Sequence, residues 1–196
     1  MIRRNPLLPP VIFLLLVFVS SCRSTGLVFK SIDVNGMVYD FSNRPVTHYE
    51  IVLGRNYRGS TDINGRFTVP KVPAGTYRIS GNKTGYESYI DEVFVKEKGQ
   101  IIYIRIPSQN QLLNMVEDSL VINNFAIAEE MTERAYQIDK NNTETLFYCA
   151  TVAFRLRQFD RAVTLLEEAI NLGSKDLYIE KFLTILKELK NEEETR

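Results

Sequence analysis

Two cysteines and one histidine are all the thiol and imidazole chemistry in this chain of 196 residues. Cys22 closes an apolar N-terminal run directly after two serines, while Cys149 and His48 stand far from it and from each other. One imidazole and two scattered thiols do not assemble a Cys/His zinc site. A site built only of carboxylates stays open on this count. No Ser/His/Asp set, HExxH motif, P-loop or glycine-rich dinucleotide loop is present. The expectation is therefore a protein that is not an enzyme, with no catalytic residues, no cofactor and no metal. His48 falls in a strand pattern and reads as structural or exposed. Lys+Arg and Asp+Glu are equal at 24 each, which points to neither nucleic acid nor an acidic substrate.

The context of Cys22 gives its chemistry. Arg3 and Arg4 precede a wholly apolar run from Val11 to Val19, and small residues Ser20 and Ser21 follow. The order is that of a signal peptide, and the run is shorter than the roughly 20 residues of a membrane span. Val19-Ser20-Ser21-Cys22 resembles the bacterial lipobox. That resemblance implies cleavage between Ser21 and Cys22 and a diacylglyceryl thioether on Cys22. It makes 1–21 a signal peptide and 22–26 a short tether. A conventional signal peptide with an incidental cysteine and an uncleaved anchor are the alternatives. With Cys22 lipidated, Cys149 has no partner, so no intramolecular disulfide is expected. The implied location is the bacterial cell envelope. Arg23, rather than the aspartate associated with inner-membrane retention in enteric bacteria, favours the outer membrane, with the face left open.

From 27 to 107 the apolar period is close to two. Val28, Ile32, Val34 and Val38 share one face, and Tyr49, Ile51 and Leu53 share another. Phe67 with Val69, Tyr77 with Ile79, Val93 with Val95, and Ile102, Ile104 and Ile106 continue the series. Turn signals at Asn43-Arg44-Pro45, Asp62-Ile63-Asn64-Gly65, Pro73-Ala74-Gly75 and Thr84-Gly85-Tyr86 separate the runs. Short strands at this spacing predict an antiparallel sandwich. Asp62 and Asn64 have the spacing that opens a calcium loop, but Phe67 and Pro70 stand where later oxygen ligands are needed, so a plain hairpin turn is expected.

The same residues carry a second resemblance. Gly36-Met37-Val38-Tyr39-Asp40 with Pro45-Val46, then Thr61 to Phe67, then Val72 to Ile79, then Lys83-Thr84-Gly85-Tyr86 are similar in order and spacing to the carboxypeptidase regulatory-like domain. The resemblance implies a seven-stranded transthyretin-like sandwich. In metallocarboxypeptidases this domain is an appendage to the zinc domain, so a binding or spacer role is implied here, not peptidase activity.

After Pro107 the period becomes helical, over about 109–122, 125–139, 143–156, 159–172 and 175–190. Ser108 and Asn142 or Thr143 suit N-caps, and Gly173 suits a stop before Ser174 as the next cap. Phe125, Ala128 and Ala135 recur as Phe159, Ala162 and Ala169, and Leu112 as Leu146, each at a shift of 34. This region, 108–191, resembles the tetratricopeptide (TPR) repeat, with about two repeats and a capping helix, and 192–196 as a flexible tail. Lys140 and Ser174 replace the family's closing proline, and Met115-Val116 replaces its small pair. Cys149 falls on that small pair and reads as buried. The expected fold is therefore a multi-domain β-then-α chain, a β-sandwich followed by a short TPR-type stack.

In TPR stacks the first helix of each repeat lines a concave groove. The resemblance places Leu113, Glu117 and Leu120, then Glu144, Phe147, Thr151 and Phe154, then Tyr178, Lys181 and Ile185 on that face. Core packing is the alternative for each. The Lys/Asn/Arg set of carboxylate-clamp repeats is absent, so a hydrophobic partner segment is implied. The expected function is a non-catalytic envelope adaptor or scaffold. Its partners would be the membrane, through the N-terminal lipid, and another envelope protein or peptide; a second copy of the chain is a further candidate. A binding lipoprotein for a small ligand or glycan is the alternative reading.

Overall fold

The structure, a computed structural model, describes residues 31–96 and 99–194. The expected signal peptide and tether, with Ser21 and Cys22, and also Val28, lie outside the described residues.

Seven strands come first: β1 (Ser31–Tyr39), β2 (Glu50–Leu53), β3 (Tyr57–Ser60), β4 (Arg66–Pro73), β5 (Gly75–Asn82), β6 (Tyr89–Val95) and β7 (Ile101–Arg105). They form two sheets, ordered β4-β1-β7 and β3-β2-β5-β6. Side chains alternate across each strand, and the inward set fills the space between the sheets. Val34, Val38, Tyr49, Ile51, Leu53, Phe67, Val69, Ile79 and Ile104 are all buried there. Tyr77 reaches the edge of this core half-buried, and its hydroxyl donates to the Pro73 carbonyl at 3.0 Å. Glycine is needed at Gly36, where a Cβ would lie 2.2 Å from the Phe67 ring and 2.6 Å from the Ile102 carbonyl oxygen.

The sandwich departs from the expectation in one pairing. β1 and β7 run parallel, Asn35 beside Ile101 through Tyr39 beside Arg105, while the other pairs are antiparallel. β7 reaches β1 by crossing from the other sheet after β6, and a crossover does not impose the reversal that a tight hairpin does.

Asp62 makes the expected turn. Its Oδ1 accepts the Asn64 and Arg66 amides at 2.8 and 2.9 Å, and Gly65 takes φ +74°. His48 is exposed in a turn at φ +53° rather than within a strand.

Five helices follow: α1 (Gln109–Val121), α2 (Phe125–Ile138), α3 (Thr143–Arg155), α4 (Phe159–Asn171) and α5 (Leu177–Glu194). Ser108 caps α1 in a full capping box with Gln111, and Asn142 caps α3. Gly173 leaves α4 at φ +89°. α5 starts at Leu177, later than expected, because the Asp176 carboxylate takes the Tyr178 amide at 2.8 Å. It continues through Glu194, so the expected tail is helical from Glu192 to that point. The 34-residue repeat is visible as equivalent core positions. Ala128 and Ala162, Ala135 and Ala169, and Leu112 and Leu146 are all fully buried, the alanines letting helices cross closely.

The sandwich and the helices meet at residues 85–111. The Gln109 amide donates to the Gly85 carbonyl at 2.9 Å and the Glu87 amide to the Pro107 carbonyl at 3.1 Å. The buried Gln109 side chain then donates to the Ala135 carbonyl at 3.2 Å and to Thr145 Oγ1 at 3.0 Å. One polar side chain thus ties α1 to α2 and α3.

Candidate interaction groove

α3 divides its residues between two cores and a further face. Leu146, Ala150 and Ala153 pack in the core shared with α4 and α5, while Val152 joins the α1–α2 core. Phe147, Thr151 and Phe154, spaced at four and three, are left half-buried on that further face. α5 buries Ile179 and Leu186 and leaves Tyr178, Lys181 and Ile185 exposed. Between the two sets lies an open groove of about 490 Å³. Phe182 lies between α3's aromatic rings, with its centroid 6.2 Å from Phe147 and 5.6 Å from Phe154, both edge to face. Arg155, Tyr178, Lys181 and Ile185 complete the lining.

No carboxylate among the described residues lines this trough, and its polar groups are few. The Thr151 hydroxyl already donates to the Phe147 carbonyl at 2.9 Å. Arg155 donates to Asn123 Oδ1 and lies over the Phe125 ring, 4.9 Å from its centroid. Lys181 is exposed at the rim. Tyr178 is 76% exposed and Ile185 51%, large apolar surfaces that the other described residues do not cover.

Of the residues expected on this face, Phe147, Thr151, Phe154, Tyr178, Lys181 and Ile185 come together in the groove. Glu144 lies in a neighbouring depression of about 310 Å³ that shares Phe147. The α1 residues do not join. Leu113 is only 4% exposed and packs with Val116, Met131 and Val152, because α1 fills contacts with both α2 and α3. Leu120 is half-buried against that same core. Glu117 accepts a hydrogen bond from the Tyr148 hydroxyl and so links α1 to α3. Phe182 and Arg155 line the groove although the TPR resemblance did not single them out. Phe182 is the fourth residue after Tyr178, the relation that should have shown it.

Cys149 is buried, and its Sγ lies 3.8 Å from the Thr132 carbonyl oxygen. Burial pushes its thiol up to about 11, so it is neutral and unreactive at ordinary pH. Among the described residues no three His, Cys, Asp or Glu side chains are placed to hold a metal ion. Among them, too, no helix is long and apolar enough to cross a membrane.

Among solved structures, the chain is similar to the first TPR of Spaghetti bound to an HSP90 peptide, at 15% identity over 43% of this chain and 67% of that one, with a TM-score of 0.41. It is similar to a type II cohesin–X-dockerin complex from Acetivibrio cellulolyticus, at 20% identity over 41% of this chain and 60% of that one, with a TM-score of 0.36. The major pilin subunit of Bacillus cereus gives 18% identity over 40% of this chain and 29% of that one, with a TM-score of 0.34. No curated protein matches the chain. The family model described as carboxypeptidase regulatory-like domain matches residues 33–106, the sandwich from β1 to the end of β7.

Proposed function

We propose that this protein is a non-catalytic cell-envelope lipoprotein that serves as an adaptor or scaffold, taking a hydrophobic segment of another envelope protein into the groove between α3 and α5. The sandwich is its membrane-proximal spacer, and Cys22 carries the lipid. The observation that carries this reading is the groove itself, an apolar aromatic trough that the described residues leave open. Lys181 and Arg155 at its rim suit a partner with acidic residues flanking its apolar anchors. The lipobox residues support the envelope location, the outer membrane by the nature of Arg23.

Tyr178→Glu with Ile185→Asp is the direct test. Both sites are exposed, so the double variant should keep its stability within about 0.5 kcal/mol per substitution. Cross-linking and capture from detergent-solubilised envelopes should recover a partner with the natural chain and lose it with the variant. Equal recovery from both would sink the groove as the binding site. The lipid is read separately, as a diacylglyceryl mass on the Cys22 peptide that Cys22→Ser abolishes.

A further inference from the structure

The two ends of the sandwich differ in charge and in what leaves them. One end faces the helices and carries the loops at 40–48, 61–65 and 83–88. The other gathers the start of β1, the β2–β3 turn, the Pro73-Ala74-Gly75 reversal, the end of β6 and the start of β7. The pairing fixes this grouping: Ser31 lies beside Pro73, Gly75 beside Val95, Leu53 beside both Tyr57 and Ile79, and Ile101 beside Asn35.

Cations dominate this second end. Among the described residues, Arg55, Arg58, Lys71, Arg78 and Lys96 are exposed there, against the carboxylates of Asp33, Asp91 and Glu92. Asp33 Oδ1 already accepts the Lys71 backbone amide at 3.1 Å, and Glu92 stands opposite Arg78 across the β5–β6 pair. Arg55, Arg58, Lys71 and Arg78 make no ion pair among the described residues. At the helix-facing end the balance is different, since Arg44, Arg66, Lys83 and Arg105 are offset by Asp40, Glu50, Asp62 and Glu87. The basic end also presents an aromatic: Phe94, beside Thr76 on edge strand β6, is 57% exposed.

We propose that this end of the sandwich docks on an anionic lipid bilayer. The inference rests on the lipid-anchor reading of Cys22. The nine residue steps from Cys22 to Ser31 reach no more than about 30 Å when extended, and Ser31 opens β1 at this very end. The anchor therefore favours these cations, which lie nearest its attachment, over those of the opposite end. Attraction of Lys and Arg to anionic headgroups fades within a Debye length of about 8 Å, so the end must lie on the surface to benefit. An exposed aromatic beside basic residues suits the headgroup layer. Docking in this pose turns the helical stack, and its groove, away from the bilayer.

The test uses the full lipidated chain in vesicles of phosphatidylcholine alone and of phosphatidylcholine mixed equally with phosphatidylglycerol, read by amide hydrogen exchange. Exchange at 54–58 and 71–78 should slow only on the anionic vesicles and recover in high salt, with 40–48 unchanged. Each single neutralisation, such as Lys71→Gln or Arg55→Gln, should lower that protection about fivefold. Replacing Arg55, Arg58, Lys71 and Arg78 together by Gln should abolish it. Equal exchange on both vesicles, or protection that survives the fourfold change, would overturn the proposal. The mass of the Cys22 peptide is measured on the same samples. A lipidated chain without protection defeats the docking surface and leaves the anchor standing. Protection of a chain that proves unlipidated, mixed with the same vesicles, supports the surface and defeats the anchor.

Discussion

Glu87 and Arg134 meet fork to fork. Arg134 Nε donates to Glu87 Oε1 at 2.7 Å and its terminal nitrogen to Oε2 at 2.8 Å, joining the loop before β6 to α2. Both side chains are 29% exposed, so the pair is shielded from water but not sealed from it. The Glu87 backbone is also tied down, its amide donating to the Pro107 carbonyl and its carbonyl accepting the Tyr49 hydroxyl.

Breaking this pair should loosen the joint between sandwich and helices. A two-armed guanidinium is worth more than a point charge here, while partial exposure tempers the gain. A double-mutant cycle of Glu87→Ala and Arg134→Ala should give a coupling of about 1 kcal/mol. Arg134→Lys should recover little of it. Chemical denaturation of the four proteins measures this, and a coupling near zero would show that the fork contributes nothing.

The repeat core should respond to volume in both directions. Leu146→Ala removes a fully buried side chain and should cost about 2–5 kcal/mol. Ala162→Leu forces a larger side chain into a fully buried crossing and should cost at least about 1–3 kcal/mol. Helix melting followed by circular dichroism reads both. An Ala162→Leu protein as stable as the natural one would mean that the helices do not cross closely there.

Cys149 should report on unfolding. With its thiol buried and pushed up to about 11, the native chain should resist alkylation at neutral pH. Modification should track denaturant and reach completion only once the helices open. Rapid labelling of native protein would contradict the burial.

Alkali should destabilise the sandwich through Tyr49. Burial and nearby Glu87 push its phenol up to about 12, above the ordinary value of 10.0 expected in the unfolded chain. The folded state therefore holds this proton more tightly. Its contribution is complete below about pH 10 and is lost as pH rises towards 12, on the order of 2 kcal/mol. Tyr49→Phe should flatten that alkaline loss. It should also lower stability at neutral pH by about 1–3 kcal/mol, since the Tyr89 amide and Glu87 carbonyl lose a partner. Unfolding curves from pH 8 to 12 separate the two effects.

Much of the fold could be read from residue order, and the parts that could not have physical reasons. Six strands declare themselves by inward alternation, but β3 does not, for Tyr57-Arg58-Gly59-Ser60 is an edge strand without a buried side chain. Gly59 is there because a Cβ would lie 2.9 Å from the Thr68 carbonyl oxygen, a constraint set by a neighbour and not by local pattern. Alternation carries no direction, so the parallel β1–β7 pair was invisible. The TPR resemblance set Phe147, Thr151 and Phe154 on one face, and they line the trough because α3 keeps that face free of α2 and α4. The same reasoning misplaced Leu113, since α1 contacts two helices and buries a wider face. Glu87 and Arg134 are separated by 47 residues and carry no local signal.

The parallel pairing of β1 with β7 also decides how the molecule bears load. A pull on Ser31 from one side and on the helices from the other enters β1 at its first residue and β7 at its last. The two strands are then drawn past each other lengthwise, so the hydrogen bonds from Asn35 to Tyr39 resist together in shear instead of parting one at a time like a zip.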